Sequence, residues 1–133
     1  NGLIEECQTK DADYIIVALG TVCSTTKDTI EELREKGKKI GLLKIKTFRP
    51  FPEEDILNAL KNAKAVAIID RNISLGQDGA VYTDIRSALY NKSNIKIHNF
   101  IVGLGGRDVT PDNIKYIFNK IEKSKSETKE WIL

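Results

Sequence analysis

The chain has 133 residues, 41% hydrophobic and 30% charged, with 21 basic residues against 19 acidic ones and a net charge of +2. That length fits one domain with a real core. The near balance of charge argues against a nucleic-acid partner, and no apolar run approaches the ~20 residues of a membrane helix.

The first strong element is Tyr14-Ile15-Ile16-Val17-Ala18-Leu19, a continuous apolar run that stops at Gly20. It reads as a buried parallel strand. A helix is expected over Thr25 to Lys36, with Val22, Ile30 and Leu33 as its apolar stripe and Gly37 as its stop. Lys39 to Thr47 reads as a second strand centred on Ile40, Leu42 and Leu43. Phe48-Arg49-Pro50-Phe51-Pro52 is a rigid turn. Pro52 suits a first helical position, and Glu53, Glu54 and Asp55 place carboxylates at the positive helix end. Ile56, Leu57 and Leu60 form the buried face of that helix.

Ala65 to Ile69 is a third buried strand, closed by Asp70. The polar loop Arg71 to Gln77 follows, then a helix from about Asp78 to Tyr90 with the stripe Val81, Ile85, Ala88 and Leu89. Ile95 to Val102 is a fourth strand and Gly103 to Asp108 its loop. Thr110 caps a last helix, with Pro111 in the first turn and Ile114, Ile117, Phe118 and Ile121 buried. Lys123 to Glu130 shows no apolar face and reads as solvated or disordered. Trp131-Ile132-Leu133 is an apolar hook that either packs on nothing or docks onto a neighbouring surface. Residues 1–12 add a short edge element at most. The chain is therefore read as one domain over 1–133, with a core over about 14–121 and a polar tail over 123–133.

This β-α alternation implies an α/β fold, a mostly parallel sheet between two helix layers. Ligands of such sheets gather at the strand carboxyl ends. Four loops lie there: Gly20–Ser24, Thr47–Pro52, Asp70–Gln77 and Gly103–Asp108. Gly20 to Lys27 precedes a helix and could cradle a phosphate, but it has neither the P-loop nor the G-x-G-x-x-G spacing. A tight capped turn is the plainer reading. The glycines of Gly103-Leu104-Gly105-Gly106 suit close packing or a subunit contact better than a nucleotide. Arg49, Arg71 and Arg107 stand at strand ends, with Asp70 and Asp108 beside two of them. They could bind an anion, but salt bridges or an interface are the preferred reading.

The cysteines are Cys7 and Cys23, too few for a disulfide framework or an iron–sulfur cluster, and they fit a reduced cytoplasmic setting. Cys23 stands near a helix N-terminus, which lowers a thiol pKa. Its one histidine partner in the chain would be His98, so a thiol enzyme is a third-ranked reading behind a buried small residue. A lone histidine gives no metal site. No basic segment leads into an apolar stretch at the start, so no signal peptide is expected. The chain opens at Asn1 and contains no methionine, which reads as a piece of a longer protein.

Four ordered stretches carry a family resemblance: Val17 to Asp28, Gly41 to Pro52, Ile69 to Ala80 and Asn99 to Thr110. Together they resemble the C-terminal domain of the α subunit of pyruvate:ferredoxin oxidoreductase, within the 2-oxoacid:ferredoxin oxidoreductases. The closing Trp131 also resembles the end of such subunits. The resemblance covers roughly residues 14 to 121. It implies a three-layer α/β/α sandwich like the C-terminal domain of transketolase, with a mostly parallel sheet and one strand usually reversed.

The implied holoenzyme decarboxylates pyruvate to acetyl-CoA and reduces ferredoxin, using thiamine diphosphate, magnesium, iron–sulfur clusters and coenzyme A. Related enzymes for branched-chain oxoacids or 2-oxoglutarate share the domain type. Gln77-Asp78-Gly79 lacks the leading glycine of the family's magnesium and thiamine motif, so no catalytic, cofactor or metal residue maps onto this chain. The implied partners are the preceding thiamine-binding domain, the β, γ and δ subunits, and ferredoxin, with no nucleic acid and no membrane. The interface candidates are Arg49, Arg71, Asn72, Ser74, Gln77, Gly105, Gly106, Arg107 and Asp108. The expected role is architectural; the alternative is a phosphate or small-molecule module using the same loops, touching coenzyme A.

Overall fold

The computed structural model describes residues 4–19, 23–46, 52–70, 80–90, 94–102 and 109–132, without the side chains of residues 19, 23–25, 80 and 81. The expected strands appear as β2 (Tyr14–Leu19), β3 (Ile40–Ile45), β4 (Ala65–Asp70) and β5 (Lys96–Ile101). The expected helices appear as α1 (Cys23–Glu35), α2 (Glu53–Leu60), α3 (Ala80–Leu89) and α4 (Pro111–Lys123). Two strands extend this set at its edges, β1 (Ile4–Cys7) and β6 (Lys129–Trp131), giving a six-stranded sheet in the order β1-β3-β2-β4-β5-β6. Only β1 runs antiparallel to its neighbour, pairing Ile4 with Ile45 and Cys7 with Leu42. The reversed strand is thus the edge element of residues 1–12.

Every residue of β4 is buried, because helices cover both faces of the sheet. On one face Val17, Val66, Ile68 and Ile97 meet Ile56 and Leu60 of α2 and Ile85 and Leu89 of α3. On the other, Ile16, Ala67, Ile69 and Phe100 meet Ile30 and Leu33 of α1 and Ile114, Ile117, Phe118 and Ile121 of α4. This is the expected three-layer α/β/α sandwich. Each of these valine, leucine, isoleucine and phenylalanine side chains removed from water contributes about 1.5–3 kcal/mol.

The helix ends follow their local chemistry. Gly37 takes φ +85 just past α1, and its N–H donates to the Arg34 carbonyl at 2.9 Å. Thr110 forms a capping box with Asn113, each side chain accepting the other's backbone N–H at 3.1 Å, and Pro111 opens α4. Pro52 stands one residue outside the expected position. Its carbonyl accepts the Ile56 N–H at 3.0 Å, which makes it the N-cap of α2.

Residues 123–130, read as solvated or disordered, are exposed or half-buried throughout, with regular structure only at the ends: α4 runs through Lys123, and β6 begins at Lys129. Ile132 of the apolar hook packs against the α1/α4 core and donates its N–H to the Ile101 carbonyl at 2.8 Å. Trp131 stays 46% exposed, and Leu133 lies outside the described residues.

Arg34, near the end of α1, clamps the β1–β2 connection. Its guanidinium donates to the Gln8 carbonyl at 2.7 Å, the Ile40 carbonyl at 2.7 Å and Asp11 Oδ1 at 2.8 Å. That bond holds the exposed Asp11 carboxyl below its ordinary pKa. The turn it grips passes directly over Gly41. A Cβ on Gly41 would stand 2.6 Å from the Gln8 carbonyl oxygen, and Gln8 is already at φ 62. Gly41→Ala should therefore lower the unfolding free energy in urea by about 1–3 kcal/mol, as overpacking against backbone does. A loss under about 0.5 kcal/mol, the scale of an ordinary surface change, would show that the turn yields.

Candidate functional site at the strand carboxyl ends

Because β2 through β6 are mutually parallel, their carboxyl ends lie along one edge of the sheet. Asp70 closes β4 there and is 3% exposed. Its Oδ2 accepts Nδ2 of Asn99 at 2.9 Å and the backbone N–H of Tyr82 at 3.3 Å. Tyr82 lies in the first turn of α3, whose free N–H groups could otherwise hold a phosphate. The protein's own carboxylate takes that position. Asn99, wholly buried, also donates Nδ2 to the Ile68 carbonyl at 3.2 Å, while its Oδ1 has no partner among the described residues.

A second polar cluster lies at the β5–β6 seam. His98 is wholly buried, and its Nδ1 accepts the Thr128 backbone N–H at 3.1 Å, with Thr128 Oγ1 2.9 Å away. An accepting Nδ1 means that the neutral ring carries its proton on Nε2. Nε2 is buried with no hydrogen-bond partner among the described residues. The Thr128 carbonyl accepts the Asn99 N–H at 2.9 Å. Glu127 continues the seam: its Oε2 accepts the Ile97 N–H at 2.9 Å and its Oε1 pairs with Arg86 of α3 at 2.6 Å. Burial pushes the Glu127 carboxyl up, but the Ile97 and Arg86 bonds outweigh it and hold the pKa below the ordinary value.

None of the sequence-selected interface residues falls among the described residues. Arg49, Arg71, Asn72, Ser74, Gln77, Gly105, Gly106, Arg107 and Asp108 all lie outside them, as does the side chain of Cys23. Of the polar residues that are described, Asp70 was weighed only as a loop salt bridge and Asn99 not at all. The available signal was His98-Asn99, two polar residues inside a strand buried on both faces, each of which must find partners there. Among the described residues no three His, Cys, Asp or Glu side chains converge as a metal site requires. The surface grooves, 360 Å³ beside Tyr82, Arg86 and Tyr90 and 340 Å³ beside Tyr116 and Lys120, lie on helix surfaces rather than at the strand ends.

With an α/β sandwich and this strand-end geometry in hand, comparison with known proteins is decisive. Residues 12–114 match the family described as pyruvate:ferredoxin oxidoreductase core domain II. The chain belongs to that family. Over 133 residues it is 47% identical to pyruvate synthase subunit PorA of Methanocaldococcus jannaschii, covering 99% of this chain and 33% of that protein. Ketoisovalerate oxidoreductase subunit VorA of Pyrococcus abyssi is 41% identical over 122 residues, covering 91% of this chain and 31% of its own length. The chain thus spans about a third of the curated relatives it matches.

Among solved structures, the α chain of a probable 2-oxoacid ferredoxin oxidoreductase from Thermoplasma acidophilum aligns with a TM-score of 0.55 at 28% identity, covering 93% of this chain and 100% of that one. The 2-oxoglutarate:ferredoxin oxidoreductase of Magnetococcus marinus, with 2-oxoglutarate, coenzyme A and succinyl-CoA bound, gives 0.65 over 90% of this chain and 19% of its own. At 19% identity that likeness establishes the fold.

In this core domain II the buried histidine makes stability depend on pH. Burial, and secondarily Lys96, push the His98 pKa below its ordinary 6.5, and Glu127 opposes them. The unfolded chain takes up a proton near that value while the folded chain refuses it until lower pH. Stability is therefore complete above about pH 6.5 and declines as pH falls toward the folded pKa, by at most about 1.4 kcal/mol per pH unit. His98 is the sole histidine in the sequence. Urea unfolding from pH 7.5 to 5.5 should show this decline in the wild type and a flatter profile in His98→Leu. Equal slopes in the two proteins would reject it.

Proposed function

We propose that this chain is an architectural, subunit-contacting domain of a pyruvate synthase α subunit. The enzyme would oxidatively decarboxylate pyruvate to acetyl-CoA, reduce ferredoxin and work in the cytoplasm. The observation that carries this reading is the family match, with 47% identity to a PorA subunit. A second PorA, from Methanothermobacter thermautotrophicus, is 49% identical over 121 residues, above the 41% of the ketoisovalerate subunit, which favours pyruvate. The described chain is also consistent with a soluble setting, since no helix in it is long and apolar enough to cross a membrane.

The chemistry of the donor set supports a supporting role. Two cysteines cannot hold an iron–sulfur cluster, and among the described residues no three His, Cys, Asp or Glu side chains converge. Thiamine diphosphate, magnesium and the clusters would therefore be held by the preceding domain of the subunit and by the β, γ and δ subunits. The strand-end loops, with Arg49, Arg71, Asn72, Ser74, Gln77, Gly105, Gly106, Arg107 and Asp108, would face those neighbours. No observation favours the alternative phosphate or coenzyme A module, and at α3 the Asp70 carboxylate already takes a helix N–H that a phosphate would use.

Two preparations test this. The isolated chain, given pyruvate, thiamine diphosphate, coenzyme A and an electron acceptor, should show no turnover. The complete subunit co-produced with its partner subunits should reduce the acceptor, and removal of this domain should prevent assembly. Turnover by the isolated chain, or a fully active complex lacking the domain, would overturn the reading.

A further inference from the structure

The segment after α4 is attached to the sheet by bonds more than by burial. No residue from Ser124 to Ile132 is buried. The Ile97 N–H donates to Glu127 Oε2 at 2.9 Å, and the Thr128 N–H to His98 Nδ1 at 3.1 Å. Further along, the Asn99 N–H donates to the Thr128 carbonyl at 2.9 Å and the Ile132 N–H to the Ile101 carbonyl at 2.8 Å. A segment with so few buried contacts opens locally at less cost than a core strand does. Among these acceptors the imidazole is the group that changes charge between pH 7.5 and 5.5. Carbonyls do not titrate, and the Ile97 and Arg86 bonds, against burial, hold the Glu127 carboxyl below its ordinary value.

His98 is suited to its place only when neutral. Its Nδ1 lone pair meets a backbone N–H that cannot rotate away, so a proton on Nδ1 sets donor against donor. Thr128 Oγ1, 2.9 Å away, can accept that proton's bond, but the Thr128 N–H then loses its acceptor. The proton would also place a full charge on a wholly buried ring. His98 shares the sheet face of Phe100, under α1 and α4. Glu127 favours its protonation and Lys96 opposes it, while burial outweighs both and keeps the ring neutral below its ordinary value. The charged groups of the elements around it are engaged elsewhere. Tyr116 and Lys120 of α4 turn to Glu130, Lys115 to Glu32 of α1, and Glu122 to Lys38. Lys27 and Arg34 of α1 bond to Glu5 and Asp11, and Asp70 of β4 to Asn99.

We propose that His98 is a proton-operated latch for segment 124–132: its protonation releases Thr128 and lifts β6 from the edge of β5, uncovering Asn99 to Ile101, while the sheet from β1 to β5 stays folded. The sign follows from linkage. The ring binds its proton near 6.5 once the segment is lifted and only at lower pH while it is closed. Acid therefore favours the open form, by at most about tenfold per pH unit. The latch does not depend on the subunit-contact reading above.

Hydrogen–deuterium exchange of the complete subunit at pH 7.5 and 5.5, corrected for the intrinsic pH dependence of amide exchange, tests it. The Asn99 and Ile132 N–H groups should be less protected than those of β2 and β4 at both pH values. Their protection should fall at pH 5.5 by up to about tenfold. His98→Gln offers Thr128 an acceptor but takes no proton, and its segment should show the same protection at both pH values. Protection of Asn99 and Ile132 equal to that of β2 and β4 would mean that the segment opens only with the whole domain, and would overturn the latch. So would a fall of less than about twofold in the wild type, or a pH dependence that survives in His98→Gln. Should that variant not fold, the wild-type comparison still decides.

Discussion

The structure depends on the parallel pairing of β4 with β2 on one side and β5 on the other. A strand paired on both edges and covered on both faces has no solvent in which to leave a polar group. Its side chains are apolar from Ala65 to Ile69, and the one polar residue, Asp70, ends the strand and is hydrogen-bonded. Parallel neighbours also require long return connections, so each strand sends the chain across the sheet through a helix. The two helix layers follow: α2 and α3 on the face of Val66 and Ile68, α1 and α4 on the face of Ala67 and Ile69.

Polar residues enter this arrangement at the end of β4 and inside β5. Asp70, at the end of β4, and Asn99, within β5, satisfy each other and the start of α3. On the outer edge of β5, His98 bonds to Thr128, and Glu127 to the Ile97 N–H and Arg86. Before β6 begins, the Ile97 N–H has a carboxylate in place of a strand carbonyl, and the Thr128 N–H has an imidazole. The β5–β6 seam is opened by side chains and continued by backbone pairing at Asn99, Phe100 and Ile101.

That division explains what could be read from the sequence. Tyr14 to Leu19 and Ala65 to Ile69 announce themselves because burial on both faces imposes unbroken apolar runs. Ile114, Ile117, Phe118 and Ile121 show a helical period because one face alone is covered. β6 gives no such signal. Lys129-Glu130-Trp131 lies on an open edge, where Glu130 meets Tyr116 and Lys120 of α4, so its composition is that of a surface. Gly41 was equally silent, since its requirement comes from the Gln8 backbone, a neighbour brought in by the fold. The residues chosen for the interface stood out by glycine content and charge. The bonding of Asp70 was hidden by its looking like the last residue of a strand.

Asp70 ends β4 as a buried carboxylate beside the first turn of α3. In an open α/β sheet the strand end beneath a helix N-terminus is where ligands are commonly held. Here a buried carboxylate from the strand itself takes the N–H of Tyr82 and the amide of Asn99. A charge so enclosed is costly unless each of its bonds is kept. The two bonds tie the end of β4 to β5 and to the first turn of α3.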